Sequence, residues 1–217
     1  MEVLSIIMLL WGCGDLDQKP TNHSVISLTG PFTTCRTYVQ EDIFSYCIYQ
    51  KAEHLETLKD VHYYCPLAKE WEEACRHVWG AKRAREPRGL SFMQLIDGCG
   101  GFSDCAFEVI DRNPSKDISI QLKRCYDYVV ADIKDCVGHA MQMWLNQKPT
   151  KEEIRIFMDK EVYLSETELY FIAKEDFCRG ENVCVGSSNN DKKCRQFQKK
   201  IKSKPNACHS RWGNIKH

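Results

Sequence analysis

Thirteen cysteines in 217 residues constrain this chain more than any other feature. Such a thiol load is improbable in a reducing compartment and ordinary in an oxidising one, where cysteines pair. The N-terminus supplies a matching expectation. Val3 to Trp11 is an uncharged apolar run, too short to span a bilayer as a helix, which takes about 20 residues. With Gly12-Cys13-Gly14 behind it, it reads as a secretory signal peptide over residues 1–14, although Glu2 stands where a lysine or arginine is usual. The competing readings are a buried N-terminal element and a lipoprotein-type cleavage site at Cys13, which Trp11 fits poorly. Cleavage before Asp15 removes Cys13. The 12 that remain are Cys35, Cys47, Cys65, Cys75, Cys99, Cys105, Cys125, Cys136, Cys178, Cys184, Cys194 and Cys208. An even set predicts six disulfides and no free thiol, metal or cofactor.

No second apolar stretch of spanning length follows, so no transmembrane anchor is expected. Asn22-His23-Ser24 is an acceptor sequon for N-glycosylation, whereas proline blocks Asn113-Pro114-Ser115. Residues 15–30 are polar and aperiodic and read as a flexible leader.

Beyond the leader, helical spacing dominates. Ile118, Leu122, Cys125, Val129, Ile133, Cys136, Val137, Ala140 and Trp144 follow one face, which predicts a single long helix capped by Ser115. Thr150 to Glu153 and Ser165 to Glu168 are capping-box patterns, and Gly180 suits a helix end. Pro66, behind Cys65, suits the first turn of a helix through Trp71 and Cys75 to Trp79. Strand alternation is scarce. The expected fold is all-α, with disulfide-stapled helical hairpins or a bundle.

A faint repeat divides the chain. Phe44-Ser-Tyr-Cys47 is followed by Cys65 and Cys75, as Phe102-Ser-Asp-Cys105 is followed by Cys125 and Cys136, and Cys35 and Cys99 stand upstream. This gives a first helical cysteine unit at 31–80, a second at 89–147, and a cysteine-rich C-terminal segment at 148–217, the whole forming one domain. Residues 10 to 12 apart on one helix lie about 15–18 Å apart, while bonded cysteines need Cα atoms within about 7 Å. Unbroken helices therefore forbid Cys65–Cys75 and Cys125–Cys136. They favour nested pairs: Cys35–Cys75 around Cys47–Cys65, and Cys99–Cys136 around Cys105–Cys125, with Gly100-Gly101 extended. Local Cys99–Cys105 and Cys178–Cys184 bonds are the competing readings.

Hairpins with cysteine pairs about ten apart look similar to the twin-cysteine helical-hairpin proteins of mitochondria, but the numbers of intervening residues depart: 11 and nine, then five and ten. In general texture the mature chain resembles secreted cysteine-rich helical proteins of invertebrate body fluids, saliva or venom. That likeness rests on no diagnostic motif, and the cysteine spacing departs from insect odorant-binding proteins.

No catalytic pattern stands out. The histidines are scattered, with no zinc-binding His-Glu-x-x-His, no nucleophile elbow and no phosphate-binding glycine loop. Glu53-His54 and His62 are the one pair that a helix face could bring together. An enzyme is therefore not expected, and a hydrolase with an unrecognised site ranks last. The basic cluster Lys82-Arg83-Ala84-Arg85 to Arg88 reads as a charged linker, or as a processing site.

Charge points to the tail. The chain has 30 basic and 30 acidic residues. From Asp191 to His217, however, nine basic and one acidic residue give +8, leaving 21 basic and 29 acidic, or −8, elsewhere. Lys192, Arg195, Lys199 and Lys202 recur at helical spacing opposite Cys194, Phe197 and Ile201, with Lys193, Lys200 and Lys204 nearby. These seven are candidate anion-binding residues. The expected function is a secreted, non-enzymatic interaction protein. Its partner would be an extracellular protein or a sulfated polysaccharide, with no nucleic acid. The alternatives for the tail are an acidic phospholipid surface, or a solvated face that pairs with the acidic body. The alternative function is a carrier for a small apolar ligand, lined by Met141, Met143, Trp144, Phe157 and Met158.

Overall fold

Side chains that close off free N–H groups set the helix starts. In a computed structural model of the chain, describing residues 27–161, 164–204 and Cys208, Thr150 and Ser165 accept from the amides of Glu153 and Glu168. Those glutamates accept in return from the cap amides, as the sequence suggests. Thr57 with Asp60, Ser91 with Gln94 and Ser188 with Asp191 close in the same way. Gly180 ends its helix in the left-handed conformation, at φ 69°. Ser115 is not the cap expected of it. Asp117 takes that place, accepting from Ser119 N–H, while Ser115 Oγ accepts from Asp117 N–H.

Ten α-helices result among the described residues: α1 Glu41–Gln50, α2 Leu58–Tyr64, α3 Glu72–Arg85, α4 Phe92–Gly98, α5 Ser103–Arg112, α6 Ile118–Tyr128, α7 Ile133–Asn146, α8 Lys151–Lys160, α9 Glu166–Arg179 and α10 Asn189–Lys202. Short 3-10 segments at Gly30–Thr37, Ala52–His54 and Cys65–Trp71 lie among the first of them. No strand occurs among the described residues, and the fold is all-α and disulfide-stapled, as expected. The signal segment, most of the leader, and Asn22 lie outside the described residues.

Five of the six disulfides pair locally, which overturns the nested scheme, and Cys178 pairs not with Cys184 but with Cys208. The bonds are Cys35–Cys47, Cys65–Cys75, Cys99–Cys105, Cys125–Cys136, Cys178–Cys208 and Cys184–Cys194, with Cα–Cα distances of 5.4–5.7 Å. The distance rule holds; the unbroken helices do not exist. The helix expected from Ile118 to Trp144 is two helices, α6 and α7, separated at residues 129–132. Ser103 Oγ accepts from the N–H groups of Val130 and Ala131 at 3.0 and 3.1 Å and holds that turn. Val129, fully buried, and half-buried Ile133 carry the apolar phase across the break, which hides it from a periodicity argument.

The helix expected from Cys65 to Trp79 breaks at Lys69, with φ 50° and ψ −113°, which brings Cys75 back to Cys65. Gly100 and Gly101 are not extended. Their φ values of 63° and 86° fold the chain back and close Cys99–Cys105.

Two apolar clusters form the core, and α5 divides its face between them. Val109 joins Phe44, Ile48, Trp79 and Leu95, while Ala106 and Ile110 join Leu122, Met141, Met158 and Ile172. α3 approaches α4 and α5 so closely that glycine is required. A Cβ on Gly98 would lie 2.1 Å from Trp79 Cζ3, and one on Gly80 would lie 2.5 Å from Cys105 Sγ. Among the described residues no helix is long and apolar enough to cross a membrane.

Gly98→Ala should therefore destabilise the protein by about 1–3 kcal/mol through overpacking against the Trp79 ring, read as a lowered denaturant midpoint. Peptide mapping without reduction should recover Cys65–Cys75 and Cys125–Cys136. Recovery of Cys35–Cys75 or Cys99–Cys136 would restore the nested hairpins.

Candidate functional site

The basic C-terminal segment folds as α10, and several unlike contacts fix its orientation. At its start the Asn190 side-chain amide donates to the carbonyls of Met158 and Glu161 at 3.2 and 2.8 Å. Asp191, buried, accepts from Ser188 N–H and Oγ and lies 2.5 Å from Arg155 Nη1 of α8. Burial pushes the Asp191 carboxyl up, but the Ser188 and Arg155 hydrogen bonds outweigh it and hold the group below the ordinary carboxylate range.

Further along, Cys194 is bonded to Cys184, and Gln198 Nε2 donates to Asp176 Oδ2 at 2.6 Å. Asp176, also buried, accepts from the N–H groups of Val183 and Cys184, so the same carboxylate anchors the loop before α10. Ile201 is buried, and Phe197 is half-buried, edge-on to Tyr170 of α9 with ring centroids 6.2 Å apart. The apolar stripe thus faces the body.

Lys192, Lys193, Lys199, Lys200 and Lys202 are exposed, as is Lys204 just beyond the helix. None of these six makes an ion pair with a carboxylate among the described residues. The nearby acids are engaged elsewhere: Glu175 and Glu181 with Arg179, Glu168 with the Ser165 cap, and Asp191 with Arg155. Lys200 Nζ stands 5.2 Å above the Phe197 ring. From Lys192 to Lys202 the helix rises about 15 Å. The result is a row of compact point charges along one rigid element, suited to charge density more than to planar, two-pronged recognition.

Arg195 departs from the sequence grouping. Its Nη1 donates to the carbonyls of Cys184 and Gly186 at 2.9 and 2.7 Å, so it clamps the preceding loop and does not reach outward with the lysines. Helical spacing alone places it on the exposed stripe; the loop position that claims it is tertiary.

The other sequence candidates lie apart. The cluster at Lys82 to Arg88 is not a linker. α3 runs through Arg85, and the chain turns at Arg88 and Gly89, with φ 46° and 84°. Lys82 Nζ donates to Glu53 O at 2.6 Å, Arg88 pairs with Glu56 at 2.7 Å, and Arg83 is buried. His54 lies in a 3-10 turn beside Glu53, while His62 on α2 meets Asp97 of α4 at 3.1 Å, so the two histidines do not form a shared site. No group of three metal-ligating side chains assembles among the described residues. Met141, Phe157 and Met158 are buried members of the larger apolar cluster, with Trp144 edge-on to Phe157 at 5.2 Å.

Sequence reasoning did not single out His139 of α7, whose Nδ1 lies 2.7 Å from Asp111 Oδ1 of α5. The close approach of that carboxylate raises the imidazole pKa above its ordinary value, against the opposing effect of burial. A raised folded-state pKa stabilises the protein below the unfolded value, about 6.5, and the gain is lost as pH rises through the folded value. Between about pH 6 and pH 8 the wild type should therefore lose more stability than His139→Gln. Thermal melts across that range check it; parallel curves would show that the pair contributes nothing on protonation.

Comparison of the chain with models of protein families, with curated proteins and with solved structures finds no match to any of them.

Proposed function

We propose that this is a secreted, non-enzymatic binding protein whose α10 face docks a linear sulfated polysaccharide. The observation that carries the reading is the set of six exposed lysines without carboxylate partners among the described residues, five on α10 and Lys204 just beyond it, with the helix tied down by Cys194, Asp191 and Gln198. A merely solvated face pairing with the acidic body is less consistent with this, because Asp191, Glu175, Glu181 and Asp176 are engaged by Arg155, Arg179 and backbone amides.

Among the anions that ammonium groups attract, a lipid surface fits least well. Interfacial helices bury an apolar face in the acyl boundary. The exposed residues of α10 are Asn189, Lys192, Lys193, Gln196, Lys199, Lys200 and Lys202, all polar. Six disulfides are consistent with an oxidising extracellular setting.

Heparin-column elution tests the proposal. Changing Lys192, Lys193, Lys199 and Lys200 together to Gln should move elution to clearly lower salt with helicity unchanged, since attraction between exposed charges is screened as the Debye length falls from about 10 Å at 0.1 M to about 3 Å at 1 M. Arg195→Gln should elute with the wild type while losing about 1–2 kcal/mol of stability, having left two loop carbonyls without their donor. Equal elution of the four-lysine variant would reject the site. Equal retention by a desulfated polymer would reject the sulfate class in favour of another partner.

A further inference from the structure

Helix α3 carries two buried arginines, two turns apart, in different circumstances. Arg76 is fully served. Its Nη1 donates to Gly98 O at 2.9 Å, its Nε to Glu72 Oε1 at 2.9 Å, and its Nη2 lies 2.8 Å from the same carboxylate oxygen. Arg83 is 0% exposed, yet its Nε and Nη1 have no acceptor among the described residues. One turn earlier on the same face, Trp79 is also 0% exposed, and its indole Nε1 has no acceptor either. Buried donors are almost always paired, and here three stand on two neighbouring side chains of one helix.

The chemistry of these groups defines what is missing. Guanidinium and indole N–H groups donate and cannot accept, so neither satisfies the other. A guanidinium does not shed its proton in a protein, so Arg83 is a desolvated positive charge that needs a counter-charge. No carboxylate forms an ion pair with it among the described residues. Glu56 and Glu86 act on it only at longer range, Glu56 is held by Arg88 at 2.7 Å, and Arg88 is itself a second positive charge nearby. A water molecule would accept two hydrogen bonds, bring two donors of its own and leave the charge unopposed. A halide brings no donors of its own, suits N–H groups of this kind and would neutralise Arg83.

We propose that the Arg83 guanidinium and the Trp79 indole N–H form a buried site for a small monovalent anion of the chloride class. The turn at residues 53–56 is pinned to this end of α3 by Lys82 on Glu53 O and by Arg88 on Glu56. The anion acts as a structural ligand that holds the end of α3 in the first core. This role is separate from polyanion docking on α10.

The test uses the full chain. Thermal melts with chloride replacing gluconate at constant ionic strength should show a saturable rise, about 3–6 °C at ten times the dissociation constant. Trp79→Phe keeps the ring and removes the N–H, and should raise the half-saturating chloride concentration several-fold. Arg83→Met should abolish the chloride dependence. Crystals of the wild type grown in bromide should show an anomalous peak within hydrogen-bond reach of Arg83 Nε and Nη1, whether or not the Met variant folds. Melts indifferent to chloride versus gluconate, or a peak at Arg83 without anomalous signal, would overturn the proposal and assign the three donors to ordered water.

Discussion

Covalent closure of bends is the constraint on which this structure depends. Five of the six bonds span only 6–12 residues, and four of them link consecutive helical segments. The α-helices they join run 7–14 residues, lengths at which an isolated helix is marginal in water. Each staple fixes the angle at which one short helix leaves the last, and so holds their apolar faces together. Close approach then follows where side chains are absent, as at Gly80 against the Cys99–Cys105 bond and Gly98 against Trp79.

The positive side chains divide by chemistry. Arginine is used inward: Arg155 on Asp191, Arg195 on loop carbonyls, and Arg76 on Glu72 and Gly98. Its planar fork holds several acceptors at once and is less strongly hydrated than an ammonium. Lysine is left in water along α10. Asp176 and Asp191 are turned inward, held by backbone amides, Ser188 and Arg155, while six lysines from Lys192 to Lys204 stand exposed without an ion-pair partner among the described residues. Arg83 is enclosed with no acceptor for its Nε and Nη1 among the described residues.

Capping boxes, the 3.6-residue period and the parity of the cysteines are local properties, and by itself the sequence determined what depends on them. Thr150 and Ser165 start helices because their own hydroxyls reach the amide three residues on. Cys194, Phe197 and Ile201 face inward, and the lysines outward, because helix geometry alone sorts them. The all-α fold and the set of 12 paired cysteines follow from the same kind of evidence.

Connectivity and several roles were decided only in three dimensions. Val129-Val130-Ala131-Asp132 contains no glycine or proline and keeps the apolar phase, so the break that joins Cys125 to Cys136 is set by Ser103 Oγ on another helix. Lys69 adopts a backbone conformation that its side chain does not announce. Arg195 and Arg83 sit in sequence among other basic residues. One is captured by the loop at 184–186, and the other is enclosed with no acceptor for its Nε and Nη1 among the described residues. In each case the deciding group comes from another part of the chain, and no local pattern records where folding will bring it.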